Sequence, residues 1–172
     1  DKIRWGILGA GRIANKFADA LKHVKDAELV AVGSRTIENA NAFGDANNIP
    51  RRYGNYEQLA QDGDLDIIYI ATPHQLHCEN AILCLNAGRH VLCEKPLAVN
   101  AMQGRAMIDA ARKNNRFLME AMWTRFLPLM GKVRQLTADG AIGEVRTLIA
   151  DFGFRAGDNA NPRISRPELA GG

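Results

Sequence analysis

Apolar residues run along the chain in two alternating rhythms. Short, nearly continuous apolar stretches occur at 3–8 (IRWGIL), 28–33 (ELVAVG), 66–71 (DIIYIA), 89–93 (RHVLC) and 117–121 (FLMEA). They have the length and composition of strands covered on both faces. Between them the apolar spacing changes to that of helices. In 11–22 the residues Ile13, Ala14, Phe17, Ala18 and Leu21 fall on one helical face, and helices are also predicted over 37–46, 57–61, 74–86 and 100–114. Gly88 stands where the helix over 74–86 should stop. No strand is read between 47 and 56. Alternation of this kind predicts an α/β fold with a doubly wound parallel sheet.

The rhythm breaks after residue 122. A helix is predicted over 126–138, with Gly140 and Gly143 beyond its end, and 144–154 (EVRTLIADFGF) alternates like a strand with one exposed face. The stretch from Arg155 to Gly172 is rich in Gly, Pro, Asn and Arg and reads as a loop. Two units are therefore expected: a doubly wound domain over 1–122, and over 123–172 the beginning of a second, incomplete α/β domain.

Composition narrows the class without naming a chemistry. With 172 residues, 47% hydrophobic and 24% charged, the chain is of ordinary globular make-up. A net charge of +3 is too small to argue for nucleic acid or a membrane surface as partner. Cys78, Cys84 and Cys93 have no metal-site spacing and read as free thiols of a reducing compartment. The charged start is unlike a signal peptide, and no apolar run approaches membrane-spanning length. The expectation is a cytoplasmic protein.

Chemistry is carried by the segments at the ends of the predicted strands. The turn Gly9-Ala10-Gly11-Arg12-Ile13-Ala14 follows a strand and opens a helix, the setting in which a glycine pattern becomes specific for a dinucleotide. Gly9 permits the tight turn, Gly11 lets a diphosphate approach the backbone, and Ala14 allows close helix–sheet packing. Free N–H groups at the helix start, around Arg12 and Ile13, face the anion. The second strand ends in Gly33-Ser34-Arg35-Thr36 instead of a carboxylate. A cation and two hydroxyls suit the 2′-phosphate of NADP better than the free ribose of NAD, with NAD still possible; the alternative is that Arg35 is a solvated surface arginine.

Ligands of open α/β sheets bind at the carboxyl ends of strands. Two further segments lie there: Ala71-Thr72-Pro73-His74-Gln75-Leu76-His77, and Cys93-Glu94-Lys95-Pro96. An ammonium at Lys95 can hydrogen-bond a substrate oxygen and relay its proton. Glu94 can hold Lys95 or contact the nicotinamide ribose, and Pro96 fixes the backbone beyond. Plainer readings stand beside these. Lys95 can be a surface lysine at a helix entrance, His77 a helix-surface residue and His74 a helix-start residue, and Cys93 reads as a small buried apolar side chain rather than a nucleophile.

Taken together, GAGRIA, ATPHQLH and above all Cys93-Glu94-Lys95-Pro96-Leu97 resemble, in order and spacing, the glucose–fructose oxidoreductase / inositol dehydrogenase / rhizopine-catabolism (Gfo/Idh/MocA) family. The segments MEAMWTRFLP at 119–128, DFGFR and RPELAGG are similar to a narrower branch containing dimeric dihydrodiol dehydrogenases and NADP-dependent D-xylose dehydrogenases. The resemblance implies a Rossmann domain followed by a domain with a large open sheet. It implies Lys95 as catalytic lysine, Glu94 and Pro96 beside the nicotinamide, and Pro73 and His77 lining the cofactor. Trp123 and Arg125 would lie near the cofactor or substrate pocket. Substrates would be sugars, polyols or trans-dihydrodiols, and dimers would form through the second domain. The family's Asp-x-Gly-x-His/Tyr motif would fall just beyond Gly172, so the chain reads as an N-terminal fragment that binds cofactor with or without turnover. The competing functional class is a non-catalytic NAD(P)-sensing regulator of the same fold, against which Glu94-Lys95-Pro96 argues.

Overall fold

The computed structural model describes residues 2–153. Six strands form one parallel sheet: β1 (Ile3–Leu8), β2 (Ala27–Gly33), β3 (Arg51–Tyr53), β4 (Ile67–Ile70), β5 (His90–Glu94) and β6 (Leu118–Ala121). Their order is β3-β2-β1-β4-β5-β6, so the chain winds outward from β1 in one direction and from β4 in the other. The point of reversal lies between β1 and β4, where open sheets form a crevice beyond the strand ends. The helices are α1 (Arg12–Leu21), α2 (Ile37–Asn47), α3 (Tyr56–Ala60), α4 (His77–Asn86), α5 (Ala101–Lys113) and α6 (Pro128–Ala138).

Alternation along the strands divides the core into two layers. Leu8, Ala31, Ile68, Ile70 and Val91 point to one face, where they meet Leu59, Leu85 and Met107 of α3, α4 and α5. Their neighbours Ile7, Val32 and Tyr69 point to the other, against Ala14 and Ala18 of α1 and Phe43 of α2. This is the two-residue period of a strand applied to a sheet covered on both sides. Close packing is fixed by small residues. A Cβ on Gly33 would stand 2.9 Å from the Cβ of Leu59.

Helix ends follow local chemistry. Thr36, Asn55 and Asn100 cap α2, α3 and α5 by accepting the backbone N–H of Asn39, Gln58 and Gln103. Asn48 ends α2 in the left-handed conformation at φ 57°, and Gly88 follows α4 at φ 82°.

Several sequence expectations are refined or corrected. The helix expected over 74–86 is a 3-10 turn at His74–Leu76 followed by α4. The helix expected from 126 begins at Pro128, whose fixed φ suits the first helical position, after a separate 3-10 turn at Trp123–Phe126. The short edge strand β3 is absent from the sequence reading. Its three residues, Arg51, Arg52 and Tyr53, carry no apolar alternation, and polar partners hold them: Arg51 pairs with Asp62 and Asp64, Arg52 with Asp45, and the Tyr53 hydroxyl donates to Asp62 at 2.9 Å. The strand expected over 144–154 does not form in its described part, 144–153. A strand requires a partner ladder, and no described strand pairs with this segment; Leu148 and Ile149 stay exposed. Residue 154, the loop from Arg155 and the RPELAGG segment lie outside the described residues.

At the edge of the sheet opposite the crevice, Arg4 and Asp66 latch β1 to the start of β4. Arg4 donates to both carboxylate oxygens of Asp66 through Nε (3.2 Å) and Nη2 (3.0 Å), and its backbone N–H donates at 2.7 Å. The Arg4 hydrogen bond holds the Asp66 carboxyl below its ordinary value. A lowered carboxylate pKa contributes stability above the unfolded value and loses it as pH falls through the folded one. Asp66→Asn should therefore lower the thermal midpoint at neutral pH, and the gap from the unaltered chain should close as the pH is taken from about 5 to about 3. Thermal denaturation across that range checks this, and a gap that stays constant would contradict it.

Candidate active site

The carboxyl edge of the sheet gathers four loops around one cavity of about 500 Å³. From β1 come Gly9, Ala10, Gly11, Arg12 and Ile13; from β2, Ser34 and Arg35. From β4 come Ala71, Thr72, Pro73 and His74, and from β5, Glu94 and Lys95.

The glycine turn has the properties a diphosphate requires. Gly9 adopts φ +102°, a conformation that disfavours a side chain, and a Cβ there would stand 3.0 Å from the Ala71 carbonyl carbon. Gly11 is different. Its φ is −93°, and an added Cβ would meet no atom within 4 Å, so it would project into open space in front of the turn. Gly11 caps α1 without a side-chain hydrogen bond, and the first turn of α1 contains no acidic residue. The first N–H groups of this ten-residue helix are thus left to face an anion.

The β2 end supplies a buried serine, Ser34, and an exposed arginine, Arg35. Thr36, read from sequence as a second hydroxyl for the cofactor, is engaged as the cap of α2. Three lining residues escape a sequence reading. Lys16 lies four positions after Arg12, one helical turn along the same face of α1. Asn39 and Tyr56 come from the starts of α2 and α3. The Tyr56 hydroxyl is pushed up by burial, a shift that nearby Arg35 opposes. The spacing of Lys16 from Arg12 was visible in the sequence; for Asn39 and Tyr56, which fall outside any strand end, no local signal existed.

At the other end of the cavity, Glu94 closes β5 and is half-buried, while Lys95 is exposed at the mouth. Lys95 stands at the strand end and not at a helix entrance, since α5 starts at Ala101. Glu94 accepts the Tyr69 hydroxyl at 2.6 Å through Oε1 and the Lys95 backbone N–H at 3.1 Å through Oε2. Burial and the Glu94 carboxylate together push the Tyr69 phenol far up, so it stays a donor.

His77 is neither a helix-surface residue nor part of the cavity lining. It is fully buried behind the wall, with Nδ1 2.7 Å from the Pro96 carbonyl oxygen and Nε2 3.0 Å from that of Thr72. An imidazole with one N–H donates to one of these two carbonyls at a time, so His77 sits between the two strand-end loops. The Thr72 hydroxyl accepts from Asn80 at 3.2 Å. Pro96, Trp123 and Arg125 do not line the cavity; Trp123 and Arg125 are exposed in their 3-10 turn. Cys93 is buried with its thiol pushed well up by burial, and Cys84 is pushed up to about 12, so neither is a ready nucleophile. Among the described residues, no group of three or more His, Cys, Asp or Glu side chains is placed to hold a metal ion. No described helix is long and apolar enough to cross a membrane.

A parallel sheet of this order, with an uncapped helix start behind a glycine turn, defines a nucleotide-binding Rossmann domain. Residues 3–122 match the family model described as "Oxidoreductase family, NAD-binding Rossmann fold", and the chain belongs to this Gfo/Idh/MocA family. Trans-1,2-dihydrobenzene-1,2-diol dehydrogenase of Xenopus laevis is 46% identical over 171 residues, which cover 98% of this chain and 51% of that protein. Its counterpart from Mus musculus is 46% identical over 154 residues, covering 88% and 46%. The chain spans about half the length of these curated relatives. Among solved structures, an NAD binding oxidoreductase from Klebsiella pneumoniae superposes with a TM-score of 0.79 at 30% identity, covering 84% of this chain and 40% of that one. A 3-ketoreductase from Actinomadura kijaniata in complex with NADP gives 0.77 at 31%, covering 85% and 47%. The WlbA dehydrogenase from Bordetella pertussis, in complex with NADH and UDP-GlcNAcA, gives 0.76 at 30%, covering 81% and 44%.

The contrasting glycines separate fold from binding. Gly9→Ala should cost at least about 1–2 kcal/mol of stability, through its positive φ and through the crowding of the new Cβ against the Ala71 and Thr72 backbone. Gly11→Ala should leave the thermal midpoint nearly unchanged yet weaken dinucleotide binding by about tenfold or more, because the new methyl occupies the approach to the helix start. Thermal denaturation with isothermal titration of NADP and NAD checks both; unchanged binding in Gly11→Ala would remove the diphosphate from this turn.

Proposed function

We propose that this chain is the cofactor-binding half of an NADP-dependent oxidoreductase that moves hydride to or from a secondary alcohol carbon of a trans-dihydrodiol, sugar or polyol. The observation that carries this reading is the placing of Lys95 and the glycine turn on one cavity, at opposite sides of the sheet's point of reversal. A regulator that only senses NAD(P) has no need of an ammonium there. The relatives named as dihydrodiol dehydrogenases support the substrate class.

The dinucleotide, when bound, supplies the hydride chemistry. This chain's own residues supply the rest. Backbone N–H groups at the start of α1 take the diphosphate. The Ser34 hydroxyl and the Arg35 guanidinium take a 2′-phosphate, which a carboxylate at this position would repel. In the reducing direction the Lys95 ammonium gives its proton to the substrate carbonyl oxygen as that carbon gains hydride, and in the oxidising direction the neutral Lys95 amine takes the hydroxyl proton as the carbon loses hydride. Glu94 accepts the Lys95 N–H beside it. We assign residues 1–122 to the nucleotide-binding domain and 123–172 to the start of the substrate and dimerisation domain. In that assignment Trp123 and Arg125 reach the substrate pocket once the rest of that domain is in place. A homodimer acting in the cytoplasm completes the reading.

Arg35→Ala should weaken NADP binding by about tenfold or more while NAD binding changes little, since only the 2′-phosphate is lost as a partner. In the full-length protein, Lys95→Met should abolish oxidation of trans-1,2-dihydrobenzene-1,2-diol, D-xylose or whichever panel member is turned over, with NADP affinity kept. Near wild-type turnover by Lys95→Met would overturn the assignment of Lys95, and an unchanged NADP/NAD ratio in Arg35→Ala would overturn the NADP preference.

A further inference from the structure

The turn Lys95-Pro96-Leu97 is held at three successive backbone groups by side chains from other elements or the strand end. The Lys95 N–H donates to Glu94 Oε2 at 3.1 Å, and the other oxygen of that carboxylate accepts the Tyr69 hydroxyl at 2.6 Å. The Pro96 carbonyl faces His77 Nδ1 at 2.7 Å. The Leu97 N–H donates to Glu120 Oε1 at 2.8 Å.

This matters because Lys95 itself is exposed. A lysine ammonium rides on a flexible four-carbon stem, so its position is only as well defined as the backbone that carries it. The anchors, by contrast, are set in the sheet. Tyr69 is 2% exposed and its ring stacks on Phe17 of α1 with centroids 3.8 Å apart. Every other residue of the β4 core is aliphatic, and a phenol placed there needs an acceptor. Glu94 provides it, and the bond fixes the rotation of the carboxylate that receives the Lys95 N–H. Glu120 is a carboxylate in the middle of β6, paired in register with Cys93, and it reaches the chain just after it leaves β5. Neither Tyr69 nor Glu120 lines the cavity.

We propose that Tyr69, acting through Glu94, and Glu120 are positioning residues for Lys95: they clamp the turn from β4 and β6 so that the ammonium meets the nicotinamide end of the cavity. The proposal rests on the reading of Lys95 given above and adds to it two residues that touch neither cofactor nor substrate.

Three variants of this same chain test it: Tyr69→Phe, which keeps the ring and its stack, Glu120→Leu, and Glu120→Gln, which keeps an oxygen acceptor. Residue-resolved amide exchange, NADPH titration and protection of Lys95 by NADPH against trace acetic anhydride are measured in each. Expected is exchange about tenfold faster at the Lys95 amide in Tyr69→Phe, where its acceptor Glu94 is no longer held, and at the Leu97 amide in Glu120→Leu, which loses its charged acceptor. NADPH affinity should stay within about twofold in both, because the glycine turn is untouched, while protection of Lys95 falls by about threefold or more. Glu120→Gln should restore both readouts, a rescue that general loss of packing would not give. Unchanged exchange at both amides, or faster exchange with wild-type protection, overturns the positioning role. Should Glu120→Leu fail to fold, Tyr69→Phe decides by the same two readouts. If the unaltered chain binds no NADPH, or binds it without shielding Lys95, the proposed function falls instead, and the exchange rates still decide whether Tyr69 and Glu120 hold the turn.

Discussion

A row of main-chain hydrogen bonds across the carboxyl edge of the sheet governs everything the site can do. The Ala71 N–H donates to the Leu8 carbonyl, the Gly9 N–H to the Gly33 carbonyl, and the Ser34 N–H to the Tyr53 carbonyl, at 2.8, 2.8 and 3.0 Å. Each bond is the last rung of a parallel ladder, and each joins the beginnings of two loops. The glycine turn, the Ser34–Arg35 corner and the Ala71–His74 segment are therefore placed by sheet register rather than by their own side chains. Gly9 is the tightest point of the row. Its backbone passes so close to Ala71 and Thr72 that a Cβ would crowd both residues, at 3.0–3.1 Å. With backbone on both sides, relief would require moving a strand. The crevice has its shape because β1 and β4 approach this closely while their loops leave in opposite directions.

The same physics explains what could be read from the sequence. Strands buried on both faces are nearly all apolar, and helices between them carry one apolar stripe; both signals are dense, so five strands and the helices between them were legible. Strand β3 was not, because it is three residues long, it is held by its ladder to β2, and its side chains find their partners in Asp45, Asp62 and Asp64 rather than in an apolar face. Local patterning has no means of recording such partners. The segment 144–153 fails in the opposite way. Its alternation is real, but alternation only describes which faces would be apolar, and a strand exists only when another edge accepts its backbone. At the site, residues at strand ends were legible because chain position there fixes spatial position. His77 was expected on the helix surface or lining the cofactor, and it is buried instead: a histidine at the start of a helix can face outward or inward, and its position between the carbonyls of Thr72 and Pro96 shows only in three dimensions. Tyr69 was hidden by its surroundings. Within DIIYIA it counts as one more buried residue, and its hydroxyl acquires meaning only when β5 brings Glu94 beside it.

One consequence of this layout concerns charge. Arg12, Lys16 and Arg35 face one part of the cavity, and Glu94 with Lys95 faces the other. The three cations are exposed. Gathered at one end of a concave site they act together, since a crevice with low-dielectric walls concentrates the field and raises the rate at which an anion arrives. The whole chain has a net charge of only +3, so this attraction is local and does not depend on the overall balance. The backbone N–H groups of α1, fixed and neutral, then provide the geometry that a mobile lysine or arginine cannot. The division of labour assigns orientation to the sheet and sign to the side chains. An anion entering such a site meets Arg12, Lys16 and Arg35 together at one part of the cavity, and a single lysine, next to Glu94, at the other.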